Sequence, residues 1–222
     1  MDWQAFTISF QLGLATVAVL LPLGVLVGRW LAYSEFRGKA FVETLFALPL
    51  VLPPTVLGYY LLVAFGKASP LGQVWASLTG NSLVFSFEGL LLASIIVNLP
   101  FAIQPMQRAF EAIPQDVRDA ASVSGLTALA ALRRIEIPLA WPGILTGLTL
   151  TFAHTLGEFG VVLMVGGSIP GETRTAAIAI YDRVQAFDER GAGLMAAVLL
   201  VISLLALGFT AMLSRKAGGR RG

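Results

Sequence analysis

The chain has 222 residues, of which 56% are hydrophobic and only 13% charged, with a net charge of +2 and a mean hydropathy of +0.80. Soluble domains carry about 25% charged residues, so this composition excludes a water-soluble domain and requires a bilayer to accept the apolar surface. The absence of cysteine excludes disulfides, thiolate metal sites and cysteine nucleophiles.

The chain opens Met1-Asp2-Trp3, without a basic leader. The apolar stretch that follows exceeds the roughly 7–15 residues of a signal-peptide core, so a helix retained in the membrane is expected. A spanning helix needs about 20 predominantly apolar residues. Five segments meet that need, at about 6–28, 44–66, 86–107, 139–167 and 193–214. Backbone in lipid must satisfy its own hydrogen bonds, which makes these segments helices. The expected fold class is therefore an all-α integral membrane protein. No internal repeat or linker divides the chain, so 1–222 reads as a single transmembrane domain.

Charge orients the spans. With the N-terminus outside, the inner segments hold Arg29, Arg37, Lys39, Arg108, Arg118, Arg133, Arg134, Arg215, Lys216, Arg220 and Arg221. The outer segments hold only Lys67, Arg174, Arg183 and Arg190. Basic residues favour the cytoplasmic side, which gives an N-out/C-in topology. The terminal cluster Arg215, Lys216, Arg220 and Arg221 is explained by attraction to anionic membrane lipid, without nucleic acid.

Proline punctuates the spans at Pro22, Pro49, Pro53, Pro54, Pro100 and Pro105. Each removes a backbone donor and kinks a helix. Three of them fall between Leu48 and Thr55, where a broken helix lining a pathway and a kink without cargo contact are the two readings. Gly24/Gly28 and Gly143/Gly147 form small-xxx-small pairs that let helices approach closely.

The longest inner segment, 108–138, exceeds an ordinary connection of about 4–6 residues. Pro114, followed by Asp116 and Asp119, marks a helix start with acids in its first turn. Gly125 is placed as the residue after that helix's end. A second helix is expected from about 127 to 135, with Arg133 and Arg134 near its C-terminus. Two short helices meeting at a glycine form a protrusion suited to a partner's groove.

The spacing Asp119-Ala120-Ala121-x3-Gly125-x9-Ile135-x-Ile137-Pro138 resembles the EAA coupling loop of type I ABC importer permeases, with Asp for the first Glu and Ile for a Leu. Residues 48–60, around Pro49, Pro53, Pro54 and Thr55, are similar to the second span of molybdate-type permeases. Thr155-Leu156-Gly157-Glu158-Phe159-Gly160 and Ile169 to Thr175 are similar to segments shared by molybdate and sulfate permeases. The resemblance runs nearly end to end.

It implies a channel-forming subunit that translocates molybdate or tungstate across the cytoplasmic membrane by alternating access, with a sulfate or thiosulfate permease as the alternative. It implies a homodimer, a cytoplasmic ABC ATPase dimer that binds ATP and Mg, and an extracytoplasmic oxyanion-binding protein. The coupling residues so implied are Glu111, Asp119, Ala120, Ala121, Gly125, Ile135 and Pro138.

Glu158 is the one acid in the interior of a span, Glu88 lying at the edge of its own, with His154 four residues earlier on the same face. An intramembrane ionisable residue is a functional candidate by default. A metal site needs three or four ligands, and the chain has one histidine. A bare carboxylate would repel an anionic cargo, so Glu158 is expected to be hydrogen-bonded at a helix break, with Thr155 and Gly157 beside it as pathway or gate candidates. Direct cargo contact is the rival role. Outside, Pro170, Glu172 and Arg174 belong either to a docking surface for a delivering protein or to a solvated helix face. The chain lacks the G-x4-G-K-[ST] loop that cradles nucleotide phosphates, so no catalytic role and no bound cofactor is expected. Two rivals remain: an intramembrane enzyme using His154 and Glu158, for which no supporting set of polar residues is found, and a non-transporting scaffold, which would not need the coupling-loop spacing.

Overall fold

The computed structural model describes residues 1–218, and all regular elements among them are helices. Arg220 and Arg221, and the side chains of Arg215 and Lys216, lie outside the described residues.

Helix α1 covers Trp3–Tyr33 and is longer at both ends than the expected span. It starts because the Asp2 carboxylate accepts from the Ala5 N–H at 3.0 Å, satisfying one of the orphan donors of a helix start. Pro22 lies inside it without ending it.

The expected span 44–66 is two helices, α2 (Lys39–Val51) and α3 (Pro54–Phe65), bent by 109°. The cause is local. Pro53 disfavours the α region at Leu52, which is extended with ψ 136°, and Pro54 then opens α3 where no donor is needed. Pro49, by contrast, stays within α2.

A short outer helix, α4 (Pro70–Thr79), follows. Helix α5 (Phe87–Glu111) starts at Ser86, whose hydroxyl accepts from the Gly89 N–H at 3.1 Å. Helix α6 covers Gln115–Val123. The second coupling helix expected over 127–135 is not a separate element. Only α7 (Ala128–Ala131) precedes a π-helical turn at Leu132–Glu136, which runs unbroken into α8 (Ile137–Gly157). Pro138 stands just after that π turn, and its missing N–H leaves a carbonyl of the turn without a helical partner.

The expected span 139–167 is also broken. Glu158 is extended, and α9 (Gly160–Gly166) begins after Phe159. Helices α10 (Ala176–Gln185) and α11 (Glu189–Gly218) complete the described residues. Among the described residues, four helices are long and apolar enough to cross a membrane, and the bent α2–α3 pair makes a fifth crossing if it counts as one span.

Helix α5 lies at the centre because both glycine pairs pack on it. A Cβ on Gly24 would come 2.7 Å from Met106 Sδ, and one on Gly28 would come 3.0 Å from the Gln107 backbone nitrogen. From the other side, Gly143 abuts Ala109, and a Cβ on Gly147 would come 3.1 Å from the Ala102 oxygen. Small residues thus let α1 and α8 approach α5, as helix association in lipid requires. The core formed there includes Leu20, Ala102, Met106, Phe110, Ala140 and Ile144. On α11, Leu200, Val201, Leu204 and Leu205 remain exposed, a surface suited to lipid.

The two ends of the bundle segregate as the charge pattern expects. Asp2 meets Arg174 at one end, while Arg29 meets Glu136 and Glu43 meets Gln107 at the other.

Candidate functional site

Two helix breaks meet inside the bundle. Helix α3 packs along α9, where a Cβ on Gly160 would stand 2.8 Å from Pro54 Cβ and one on Gly58 would stand 2.9 Å from Met164 Cβ. Between the breaks lies a cavity of about 170 Å³, with Pro49, Leu52, Pro54, Phe101, His154 and Glu158 in its wall. The structure therefore brings together Pro49, Pro54 and Glu158 from the sequence-based candidates. Pro53, Thr55 and Gly157 are exposed and lie outside that wall.

Glu158 is 7% exposed and is hydrogen-bonded at the break, as expected. The donor is the Val161 N–H, 3.0 Å from Glu158 Oε1, so the carboxylate caps the first turn of α9. His154 Nε2 stands 3.7 Å from the other carboxylate oxygen, and the imidazole stacks on Phe101 with ring centroids 4.1 Å apart.

A chain of buried polar side chains extends from this pair across the bundle. His154 Nδ1 lies 3.1 Å from Asn98 Oδ1. Asn98 Nδ2 donates to the Ser94 carbonyl at 2.8 Å and to Thr155 Oγ1 at 3.1 Å. Thr16 donates to Ser94 Oγ at 2.9 Å, and Thr155 donates to the Thr151 carbonyl at 2.8 Å. The chain joins α1, α5, α8 and α9. Polar groups buried at this depth need partners, and here they find them partly on their own helix and partly on a neighbouring one. Thr155 was expected near the pathway and sits in this network. Thr16, Ser94 and Asn98 were not expected. Their one signal in the sequence is small polar residues inside apolar spans, with Ser94 and Asn98 four apart on one helix face.

At the basic end, the coupling-loop residues have separate positions. Helix α6 ends in a Schellman motif: the Leu126 N–H donates to the Ala121 carbonyl at 3.3 Å, and the Gly125 N–H donates to the Ser122 carbonyl at 3.0 Å. Gly125 has φ +74°, a left-handed conformation that glycine alone adopts without strain. The motif accounts for the Ala121-x3-Gly125 spacing. Ala121 is buried, Ala120 and Asp119 are exposed, and Asp119 accepts from Gln115 Nε2 at 3.0 Å. Val123, also on α6, is 89% exposed. Ile135 is half-buried in the π turn, and Pro138 is exposed. Glu111 ends α5 and accepts from Gln107 Nε2 at 2.9 Å. The same amide nitrogen donates to Glu43 of α2 at 2.7 Å. Glu111 is thereby engaged in a clasp between α5 and α2.

At the opposite end, Pro170 and Glu172 are exposed. Glu172 lines an open cleft of about 900 Å³ together with Gln11, Lys67, Asn81 and Glu88. Arg174 turns inward, 3.1 Å from Asp182 and 3.6 Å from Asp2, so it ties the start of α1 to α10.

A bundle of long apolar helices, two of its spans broken, with a short glycine-terminated helix held out at one end, defines a transport permease. Residues 21–218 match the family described as binding-protein-dependent transport system inner membrane component, and the chain belongs to that family. It is 43% identical over 206 residues to the molybdenum transport system permease protein of Azotobacter vinelandii, covering 93% of this chain and 91% of the relative. It is 35% identical over 223 residues to the corresponding protein of Escherichia coli (strain K12), covering 99% and 97%. A probable sulfate transport system permease protein of Chlorella vulgaris is 30% identical, with 92% of this chain and 76% of the relative covered.

Among solved structures, a bacterial alginate ABC transporter in complex with its periplasmic protein matches with a TM-score of 0.76 at 18% identity, covering 96% of this chain and 78% of that one. The inward-facing methionine ABC transporter matches with a TM-score of 0.69 at 16% identity, covering 97% and 94%. These likenesses show the fold of a type I ABC importer permease.

Proposed function

We propose that this chain is the membrane-spanning subunit of an ATP-driven importer that carries molybdate or tungstate across the cytoplasmic membrane. The observation that carries the importer reading is α6. A nine-residue helix held out at the basic end, framed by Gly125 and presenting Val123 almost fully to solvent, is built to enter a groove on another protein. The occupant would be a cytoplasmic ATPase, which supplies the nucleotide chemistry this chain lacks. ATP and Mg would be held there. Two copies of the chain would enclose the pathway around a two-fold axis, the commonest symmetry of oligomers. A binding protein would deliver the anion at the end bearing Glu172 and the open cleft.

The cargo follows from the relatives. Those named for molybdenum transport align along nearly their whole length, whereas the sulfate-type relative is less similar and has more residues beyond the match. Within the chain, the breaks at Leu52–Pro53 and Glu158–Phe159 support alternating access. Irregular backbone at membrane depth persists only where protein or a wet cavity covers it, and such breaks serve as hinges. The capping of α9 by Glu158, which accepts from the Val161 N–H, supports a role in holding the gate rather than in meeting the anion.

The test is uptake of radiolabelled molybdate by cells with and without this chain, the ATPase and binding protein being present in both. Chain-dependent uptake that resists excess sulfate is expected. Uptake abolished by sulfate would move the cargo to the sulfate branch, and uptake indifferent to the chain would remove the importer reading.

A further inference from the structure

Helix α6 is bounded by Pro114 on one side and by Gly125, at φ +74°, on the other. Regular helix stops at both residues, so no continuous helix joins α6 to α1 or α8. Something else must fix it to the bundle if its displacement is to be felt there. Val117 supplies part of the link by packing on the core of Phe110, Ile113 and Ala140.

The specific link is polar and aromatic. The Arg118 guanidinium of α6 lies 4.3 Å from the centre of the Tyr33 ring, the last residue of α1. Arg29, one turn earlier on α1, lies 5.3 Å from the same ring. Cations at such distances are held by the ring's quadrupole. Tyr33 also meets Phe110 of α5 edge-on, with centroids 6.2 Å apart. Arg29 in turn grips Glu136 with two hydrogen bonds, one from Nε and one from Nη2 at 3.0 Å. Glu136 is 5% exposed and closes the π turn at the entrance to α8. A bidentate arginine–carboxylate pair is among the strongest and most directional of side-chain contacts. A π turn inserts a residue into the helical repeat and is concentrated at functional sites.

We infer that Arg118, Tyr33, Arg29 and Glu136 form the joint through which α6 moves α1 and α8 together. The inference rests on the importer reading and names the parts of this chain that transmit the motion. Residues 29 and 136 are far apart in sequence and lie on the two helices that flank α5. A push on α6 therefore reaches both flanking helices through side chains rather than through the loop backbone. Arg29, Tyr33 and Glu136 are positioning residues, since none of them would touch cargo or nucleotide.

The experiment uses the complete transporter, with its ATPase and binding protein, in liposomes. ATP hydrolysis and internalised radiolabelled molybdate are measured together. Glu136→Gln keeps the shape of the pair and removes its charge. Tyr33→Leu removes the ring. Tyr33→Phe keeps the ring and deletes only a hydroxyl that has no hydrogen-bond partner among the described residues.

Glu136→Gln and Tyr33→Leu are expected to co-purify with the ATPase and to hydrolyse ATP, while molybdate carried per ATP falls at least about fivefold, the lower end of coupling effects between sites. Tyr33→Phe should keep the wild-type ratio. A wild-type ratio in either Glu136→Gln or Tyr33→Leu overturns the joint. So does loss of ATPase assembly in both, which would make these residues purely structural. Failure of the wild-type complex to import molybdate would instead count against the importer reading, so the two failures are distinguishable.

Discussion

His154 Nδ1 lies 3.1 Å from the side-chain oxygen of Asn98, while His154 Nε2 faces Glu158 at 3.7 Å. Asn98 is fully buried and is the hub that ties α8 to Ser94 and, through it, to Thr16 of α1. Replacing Asn98 by leucine keeps the volume and deprives Thr155 and His154 of a partner. A buried polar group left unpaired costs about 1–3 kcal/mol. Asn98→Leu is therefore expected to lower the thermal midpoint of the detergent-solubilised protein and to slow uptake about tenfold, equivalent to about 1.4 kcal/mol. An unchanged midpoint and unchanged uptake would show that the polar chain holds nothing in place.

Gly125 tests the frame of α6. No atom outside its own neighbours would lie within 4 Å of a Cβ there, so substitution meets no obstacle within the chain. The obstacle is φ +74°, which costs an ordinary residue about 1–2 kcal/mol and which asparagine adopts more readily. Gly125→Val should insert normally yet lose ATPase co-purification about tenfold, with Gly125→Asn close to wild type. Equal loss in both variants would mean that the partner, not the backbone angle, demands glycine. Equal retention would mean that the Schellman ending is dispensable.

Asp188 sets the start of α11 outside the membrane. Its carboxylate accepts from the Gly191 N–H at 2.9 Å and from Arg183. The Gly191 bond first, and Arg183 second, hold its pKa below the usual carboxylate value. The folded state thus favours the ionised form. The stability it contributes is fully present above the unfolded value of about 3.9 and is lost as pH falls through the lower folded value. Asp188→Asn keeps a capping oxygen and removes the charge. The difference in thermal midpoint between wild type and Asp188→Asn should be constant above about pH 4 and shrink below it. A difference independent of pH down to about 2 would show that the charge contributes nothing to stability.

Much of the architecture was legible because the bilayer imposes it. Long apolar runs over 6–28 and 193–214 lie within α1 and α11, since a spanning segment has no alternative to the helix. The break before α3 was legible from Pro53 and Pro54 because proline acts on its own backbone and that of its predecessor. The helix end at Gly125 was legible for the same reason: a Schellman motif is closed by bonds within six residues. The need of Glu158 for a hydrogen bond at a helix break also followed from local chemistry, through desolvation and charge.

What the tertiary structure decided is which distant groups meet. Nothing along the chain says that the π turn after Ala131 places Glu136 against Arg29, because a second coupling helix with its own end fits the local pattern equally well. Nothing local couples Asn98 to His154 either, since an asparagine within an apolar run satisfies itself on whichever helix the packing supplies. Arg174 read as an exposed cation, and it is turned inward onto Asp2 and Asp182 by a fold that brings the first residues of the chain to α10. Local backbone preference and hydrophobic length act over a few residues and can be read in order. The pairing of polar groups depends on where packing sets whole helices, and that is fixed by contacts such as Gly24, Gly28, Gly143 and Gly147 on α5, which involve helices remote in sequence.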